Sequence, residues 1–366
     1  MPLRYAVVGT GMMGLEHIHA LGSLPDTEVV ALCDPHATSL RRAKDALVDG
    51  GHPIAEYATV EDLVAGGGFD VAVVSSPNFT HRAVVEPLLE HGSHLLIEKP
   101  LGITARECRE IIALEKETST VHAARVVWVG LEYRYMAPTM RLLDHVGSGS
   151  LGNLRMLAIR EHRFPFLVKV GDWNRFSANT GGTLVEKCCH FFDLMRLVLQ
   201  SEPNRVFASG AQDVNHLDEI YEGRTPDILD NAFVIVDFDN GARASLDLCM
   251  FAEATKNEQE ISVVGDLGKA EALVTEGVVR LGLRSKGWFQ CEEEIVSVDD
   301  VPTSVLAHGA HHGSSWRQHR AMQAAIRNGS RAAVTTFDGL MSVAMGEAAH
   351  RSISLGRPVS MGEILD

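Results

Sequence analysis

The chain has 366 residues, 45% of them hydrophobic and 22% charged, a soluble globular balance with room for two domains that each bury a core. Its 33 Lys and Arg against 48 Asp and Glu leave a formal net charge of −15. That argues against a nucleic-acid partner, since phosphate contact needs clustered Lys and Arg. No apolar run approaches the ~20 residues of a membrane helix, and the N-terminus shows no basic, apolar and cleavage-site succession. Six scattered cysteines (Cys33, Cys108, Cys188, Cys189, Cys249, Cys291) form no C-x-x-C pair and read as reduced thiols of a cytoplasmic protein.

In chain order, "RYAVVG" leads into a helix near Met13–Gly22, and "EVVALCD" into one near Thr38–Leu47. "DVAVVSSP" precedes a helix from about Phe79 to His91, and "HLLIEKP" one from Thr104 to about Glu117. Near-continuous apolar strands alternating with amphipathic helices predict an α/β domain over 1–125, with a parallel sheet covered on both faces. Beyond it the rhythm changes. A helix near Ala137–Val146 and the strand "NLRMLAIREHR" lead to the run "GGTLVEKCCHFFDLMR" at Gly181–Arg196. Strands follow in series: "NRVFASGAQDV", "AFVIVDF", "ARASLDLCMF", "EISVVG", "KAEALV", "VVRLGLR" and "EEEIVSV". Asp239-Asn240-Gly241 joins two of them as a hairpin. Helices near Ser314–Arg327 and Phe337–Leu355 close the chain, so 126–366 is expected to be an α+β domain on a mostly antiparallel sheet.

"VVGTGMMG" sets Gly9, Gly11 and Gly14 in G-x-G-x-x-G spacing directly after the first strand. Gly9 permits a tight turn, Gly11 lets backbone approach a pyrophosphate, and Gly14 lets helix and strand pack closely. Thr10, Met12 and Met13 complete the loop. Asp34 closes the second strand, 20 positions past Gly14. Its carboxylate accepts ribose hydroxyls and repels a 2′-phosphate, which favours NAD over NADP; Arg41 and Arg42 are the groups that would serve NADP. "SSPNFTH" follows the fourth strand, and its Ser76, Pro77, Asn78 and His81 sit where such sheets bind ligand. Asn78 or Thr80 there also suits the N-cap of the next helix.

Glu98-Lys99-Pro100 directly follows the fifth strand. With "GTGMMG", Asp34, "SSPNFTH", "YRY" at Tyr133–Tyr135, "GGTLVEKCCHFFD" and the closing "AAHRSISLGRPV", it resembles the glucose–fructose oxidoreductase/inositol dehydrogenase/rhizopine catabolism (Gfo/Idh/MocA) family, in the family's order and over almost the whole chain. The resemblance implies a Rossmann domain, then an open-faced sheet domain for substrate and oligomerisation, with the active site in the cleft between them. It implies NAD(P)-dependent oxidation of a hydroxyl on a sugar, cyclitol or similar polyol by homodimers or homotetramers built through the exposed sheet. Glu98 and Lys99 then join the cofactor contacts, with Lys99 touching the substrate hydroxyl.

Read at 100° per residue, Gly181–Arg196 is a helix apolar nearly all round, hence buried, with Glu186, His190 and Asp193 along one stripe. Cys188, Cys189 and His190 are consecutive, so their side chains fan out and cannot converge on one ion. "HGAHH" at His308–His312 is the one other histidine cluster, and no metal is expected. By the family's pattern His190 is the general base and Glu186 orients it or binds a neighbouring hydroxyl; pairing of a core histidine with a helical acid is the plainer role. Lys187 departs from the pattern and borders His190 at i+3. In the cleft its charge would favour the neutral base. Tyr133, Arg134, Arg163, Trp173 and Arg175 offer the aromatic face and donors that suit a polyhydroxylated ring, and serve packing or surface charge equally well. Ser314 or Ser315 is the expected N-cap of the late helix.

Three functions fit: net NAD-dependent dehydrogenation of a secondary alcohol, redox-assisted glycoside cleavage by transient oxidation and elimination, and a non-enzymatic sensor of NAD and sugar. Retention of both Lys99 and His190 argues against the sensor.

Overall fold

The computed structural model describes residues 1–47, 53–121, 125–307 and 311–366. The chain divides into two compact units, and neither is one continuous stretch. The first comprises Met1–Glu132, Lys169–Trp173 and Asp299–Leu340, the second Tyr133–Val168, Asn174–Val298 and Met341–Asp366. A boundary at 125/126 was expected, but a late segment returns to the first unit.

That unit alternates β1 (Leu3–Val8), α1 (Met12–Gly22), β2 (Thr27–Cys33), α2 (Ala37–Asp45), β3 (Ala55–Tyr57), α3 (Val60–Gly66), β4 (Val71–Val74), α4 (His81–His91), β5 (His94–Ile97), α5 (Ala105–Thr118) and β6 (Val127–Val129). The six strands are all parallel, in the order β3-β2-β1-β4-β5-β6. Strand order reverses between β1 and β4, the place where sheets of this kind bind ligand. β4 is buried at every position, as its unbroken apolar run requires.

The second unit holds α6 (Ala137–Gly147), β7 (Leu154–His162), α7 (Ser177–Thr180), α8 (Thr183–Glu186), α9 (Cys189–Leu199), β8 (Pro203–Ala211), β9 (Asn231–Phe238), β10 (Arg243–Cys249), β11 (Gln259–Gly265), β12 (Gly268–Leu273), β13 (Val278–Leu283) and β14 (Glu292–Ile295). Further along the chain come α10 (Thr303–Leu306), α11 (Ser314–Asn328), α12 (Thr336–Leu355), β15 (Val359–Ser360) and α13 (Gly362–Leu365). The nine-stranded sheet runs β14-β13-β12-β11-β7-β10-β9-β8-β15, with β7 and β10 its one parallel pair. β9 alternates buried and exposed positions, so one face is covered and the other open. Phe207, Phe233 and Ile235 stand out on the open face. The β9–β10 hairpin turns through Gly241 at φ +81°, with Asn240 Oδ1 accepting the Ala242 N–H at 3.0 Å.

α11 explains the return to the first unit. Its His319 reaches His17 on α1 at 2.9 Å, and its Gln323 donates to Thr27 Oγ1 at 2.6 Å. Beyond it, Val334 accepts the Val129 N–H at 3.1 Å.

The expected single helix over Gly181–Arg196 is two helices, α8 and α9, parted at Lys187 and Cys188. Cys189 Sγ lies 3.6 Å from the Glu186 carbonyl, and Phe191 and Phe192 restart the ladder on the Cys188 carbonyl. Cys188 and Cys189 are buried free thiols, as the packing role requires. Among the described residues no helix is long and apolar enough to cross a membrane.

Candidate functional site

The glycine loop is built by backbone contact. Gly9 has φ +85°, and a Cβ there would stand 2.4 Å from Ser76 N; a Cβ on Gly14 would stand 2.2 Å from the Gly9 carbonyl oxygen. Gly11 differs, because a Cβ there would meet nothing within 4 Å. Gly11 also begins α1 with no side-chain cap, and the first N–H groups of a helix have no intrahelical acceptor. Open space and helix N–H groups suit a pyrophosphate. Met12 is exposed beside it, Met13 half-buried.

Asp34 secures the loop from β2. Its Oδ2 accepts Thr10 N at 2.8 Å and Thr10 Oγ1 at 3.1 Å, and its Oδ1 accepts His36 N at 2.8 Å. Oδ2 is fully engaged, and Oδ1 keeps one lone pair for a ribose hydroxyl. The residues therefore fit a dinucleotide.

After β4, Ser75 Oγ donates to the Gly9 carbonyl at 2.6 Å, joining the two strand ends at the switch point. Thr80 is the N-cap residue of α4, but its hydroxyl turns back to Ser76 Oγ at 2.8 Å and the Pro77 carbonyl at 2.6 Å. Asn78 is buried. His81, expected at the cofactor, is fully buried, with ring nitrogens 2.9 Å from the Pro100 carbonyl and 3.0 Å from that of Ser76. It ties the loop after β4 to the loop after β5.

Glu98 is also engaged inside the fold. Its Oε1 lies 2.9 Å from His17 Nε2, and its Oε2 accepts the Lys99 N–H at 3.2 Å. His17 Nδ1 lies 2.9 Å from His319 Nε2, completing a buried Glu98–His17–His319 chain. Burial pulls His17 toward neutrality, yet the bond to Glu98 and the surrounding carboxylates hold its pKa above the usual histidine range. Burial and the charge of His17 push His319 well below that range. His17 thus bonds through both ring nitrogens, to Glu98 and to His319. The chain anchors the backbone at Lys99, whose side chain is half-exposed. His17 and His319 were not among the expected site residues. The available signal was a histidine one turn past Gly14 on an otherwise apolar helix face.

Ser314 and Ser315 do not cap α11; Gly313 occupies that position without a side-chain bond. Their hydroxyls face buried Glu132 instead, Ser314 at 3.3 Å and Ser315 in a very short contact, while Ser315 also donates to Glu16 at 2.6 Å. His311 Nδ1 lies 2.8 Å from Glu16 and 3.3 Å from Glu132. Glu16, Glu132 and His311 are the one group of metal-ligand type that converges among the described residues, and His308 lies outside those residues. Burial raises the pKa of Glu132. Trp173 belongs to the first unit, edge-on to Phe79 at 6.2 Å and with Lys169 4.5 Å over its ring.

In the second unit, Gly181 and Gly182 both have positive φ, 79° and 84°, which turns the chain into α8. His350 on α12 backs this turn, its Nε2 accepting the Leu184 N–H at 3.1 Å. Burial lowers the His350 pKa to about 4. Glu186 ends α8 and His190 lies in the first turn of α9, both buried. The imidazole stacks on Tyr133, ring centroids 3.8 Å apart and planes within 6°.

Lys187 lies in the break between the helices and points into the fold. Its Nζ donates to Tyr133 Oη at 2.6 Å and stands 2.8 Å from Glu161 on β7. Burial raises the Glu161 pKa and lowers that of Lys187. Two of the three ammonium donors are thus engaged inside the fold. The other expected substrate contacts are engaged as well. Arg134 forks onto Asp193 at 2.6 and 2.5 Å. Arg175 donates to Glu219 at 2.9 Å and to the Phe166 carbonyl at 3.3 Å. Arg163 stands 3.4 Å from Glu258 and 3.6 Å from Glu161. Spacing on a helix missed the Arg134–Asp193, Arg175–Glu219 and Arg163–Glu258 pairings because those partners lie 59, 44 and 95 positions apart in sequence.

Residues 3–125 match the family model described as "Oxidoreductase family, NAD-binding Rossmann fold", and residues 144–361 match "Oxidoreductase family, C-terminal alpha/beta domain". The chain is 31% identical over 206 residues to the rhizopine catabolism protein MocA of Rhizobium meliloti, spanning 55% of this chain and 58% of that one. It is 26% identical over 374 residues to inositol 2-dehydrogenase 1 of Saccharopolyspora erythraea, spanning 99% of this chain and 97% of that one. Among solved structures, levoglucosan dehydrogenase in complex with NADH shares the fold with a TM-score of 0.83 over 99% of both chains, at 16% identity. The chain belongs to the Gfo/Idh/MocA oxidoreductase family, with an NAD-binding Rossmann domain and the family's C-terminal alpha/beta domain.

Proposed function

We propose that the protein is a cytoplasmic NAD-dependent dehydrogenase that oxidises a secondary hydroxyl of a sugar, glycoside or cyclitol. The observation that carries this reading is the seating of His190: a buried imidazole held against Tyr133, four residues beyond Glu186 across the break between α8 and α9. The dinucleotide, when bound, supplies the two-electron acceptor. His190 takes the hydroxyl proton as the C–H bond gives up its hydride, leaving a ketone and a protonated imidazole. A histidine does this near neutral pH because both of its forms are accessible there. Lys99, its backbone held by Glu98, stabilises the oxygen as negative charge develops on it. Glu186 orients the base or the neighbouring hydroxyl. The Asp34 carboxylate favours NAD, since a 2′-phosphate would meet its charge.

Redox-assisted glycoside cleavage remains the second reading, favoured by the additional acid–base groups Tyr133 and Lys187 beside His190. A panel of sugars, inositols and glycosides, followed at once for NADH formation and glycosidic cleavage, separates the two. NADH accumulating with an intact glycosidic bond supports net dehydrogenation. Cleavage without NADH supports the second reading, and neither signal across the panel removes both. The open face of the nine-stranded sheet, with Phe207, Phe233 and Ile235, is the proposed surface for homodimers or homotetramers.

A further inference from the structure

A buried ammonium at Lys187 requires a physical reason. Both it and Glu161 are inside the fold, with side chains 5% and 0% exposed. Such a pair is weak evidence for stability, because apolar residues of the same volume would pack there at least as well. Its effect on Tyr133 is specific. The phenol oxygen is tied to Nζ at 2.6 Å, the ring edge meets Phe191 at 5.7 Å and 66°, and one ring face lies flat against His190. With hydroxyl, edge and face all engaged, Tyr133 has one position.

That position constrains the imidazole. The χ2 torsion turns a histidine ring about an axis lying in the ring's own plane. A partial rotation lifts the ring out of a parallel stack at 3.8 Å, so the stack fixes the plane of the imidazole. The charged groups around Lys187 are Glu161 and Arg163, at and just past the end of β7, with Glu258 before β11. His190 has Tyr133 on its ring face and Glu186 four residues earlier in the chain, and the Arg134–Asp193 pair closes on itself from α9.

We propose that Lys187 and Tyr133 are positioning residues for His190: Lys187, anchored on Glu161, fixes the Tyr133 ring, and that ring locks the imidazole in the orientation that accepts the substrate proton. The proposal rests on reading His190 as the base, and the experiment keeps the two apart. The His190 imidazole is titrated by NMR, which needs no substrate, in the wild type, Tyr133→Phe and the charge-balanced Lys187→Met/Glu161→Gln protein. The pH profile of kcat is then measured with a substrate found in the panel. Expected for the double variant, whose net charge is unchanged, is a titration midpoint about half a pH unit higher as the loosened stack lets water reach the imidazole, a matching shift of the ascending kcat limb, and an unchanged Kd for NAD. Tyr133→Phe keeps the ring and loses only its anchor, so it should give a smaller shift in the same direction. It also serves as the test should the double variant fail to fold. An unchanged midpoint and limb in the folded variants overturns the positioning role. Wild-type turnover in His190→Ala overturns the base itself, whatever the midpoint does.

Discussion

The two sheets hide their surfaces differently, and that difference sets where chemistry can sit. The six-stranded parallel sheet is covered on both faces, so only its strand ends reach a ligand, and the expected cofactor residues gather there after β1, β2, β4 and β5. The nine-stranded sheet is covered on one face, and its candidate base is carried on a helix within the cover, braced by Tyr133, Lys187 and Glu161. Backbone shapes the first site, and side chains brace the second.

The sharpest way to break this comparison is to remove the proposed chemistry from one unit alone. His190→Ala is expected to lower turnover by about 10²–10⁴-fold while leaving the Kd for NAD unchanged by calorimetry. Loss of NAD affinity in that variant would show that the two roles are not separable by unit.

Within the first unit, two glycines with different surroundings test the backbone argument. Gly9→Ala meets Ser76 backbone at 2.4 Å and should cost about 3 kcal/mol or more in urea unfolding. Gly11→Ala meets no protein atom, so its unfolding midpoint should match the wild type while NAD affinity falls about tenfold. Equal loss of stability in both would remove the evidence that Gly11 leaves room for a ligand.

In the second unit, His350 links pH to the turn before Glu186. Its folded pKa is depressed to about 4, so its contribution is fully present above the unfolded value near 6.5. It is lost as pH falls from about 6.5 through about 4, by roughly 3 kcal/mol in total. His350→Gln keeps an acceptor that does not titrate in this range. Its unfolding free energy should therefore fall less than the wild type's over that window, and equal slopes would remove His350 as the cause.

The smallest effect on stability belongs to the open face. Phe233→Glu should change unfolding by no more than about 0.5 kcal/mol yet lower the mass seen by light scattering, and an unchanged mass would move the assembly surface elsewhere.

Much of the first unit was legible because its signals are local. The spacing of Gly9, Gly11 and Gly14 and the acid closing β2 lie within one stretch of chain, and the structure sets the glycines at the turn into α1 with the acid bonded to Thr10 between them. The later strands and the hairpin at Gly241 were equally readable from alternation and turn chemistry. The helix at Gly181–Arg196 was read as continuous because its composition is apolar nearly all round, and composition carries no sign of the break at Lys187. Glu98 was expected at the cofactor from the resemblance and His81 from its position after β4; their bonds inside the fold run to His17 and to the carbonyls of Ser76 and Pro100.

By itself the sequence determined the two-part architecture, the dinucleotide loop and the candidacy of Lys99, Glu186 and His190. Periodicity and short motifs encode what neighbouring residues do together. The tertiary structure alone decided the partners of each charge. Lys187 meets Tyr133, 54 positions away, Arg134 meets Asp193, 59 positions away, and His17 meets His319, 302 positions away. A buried charge takes whichever partner the fold brings within about 3 Å, and no local pattern records that choice.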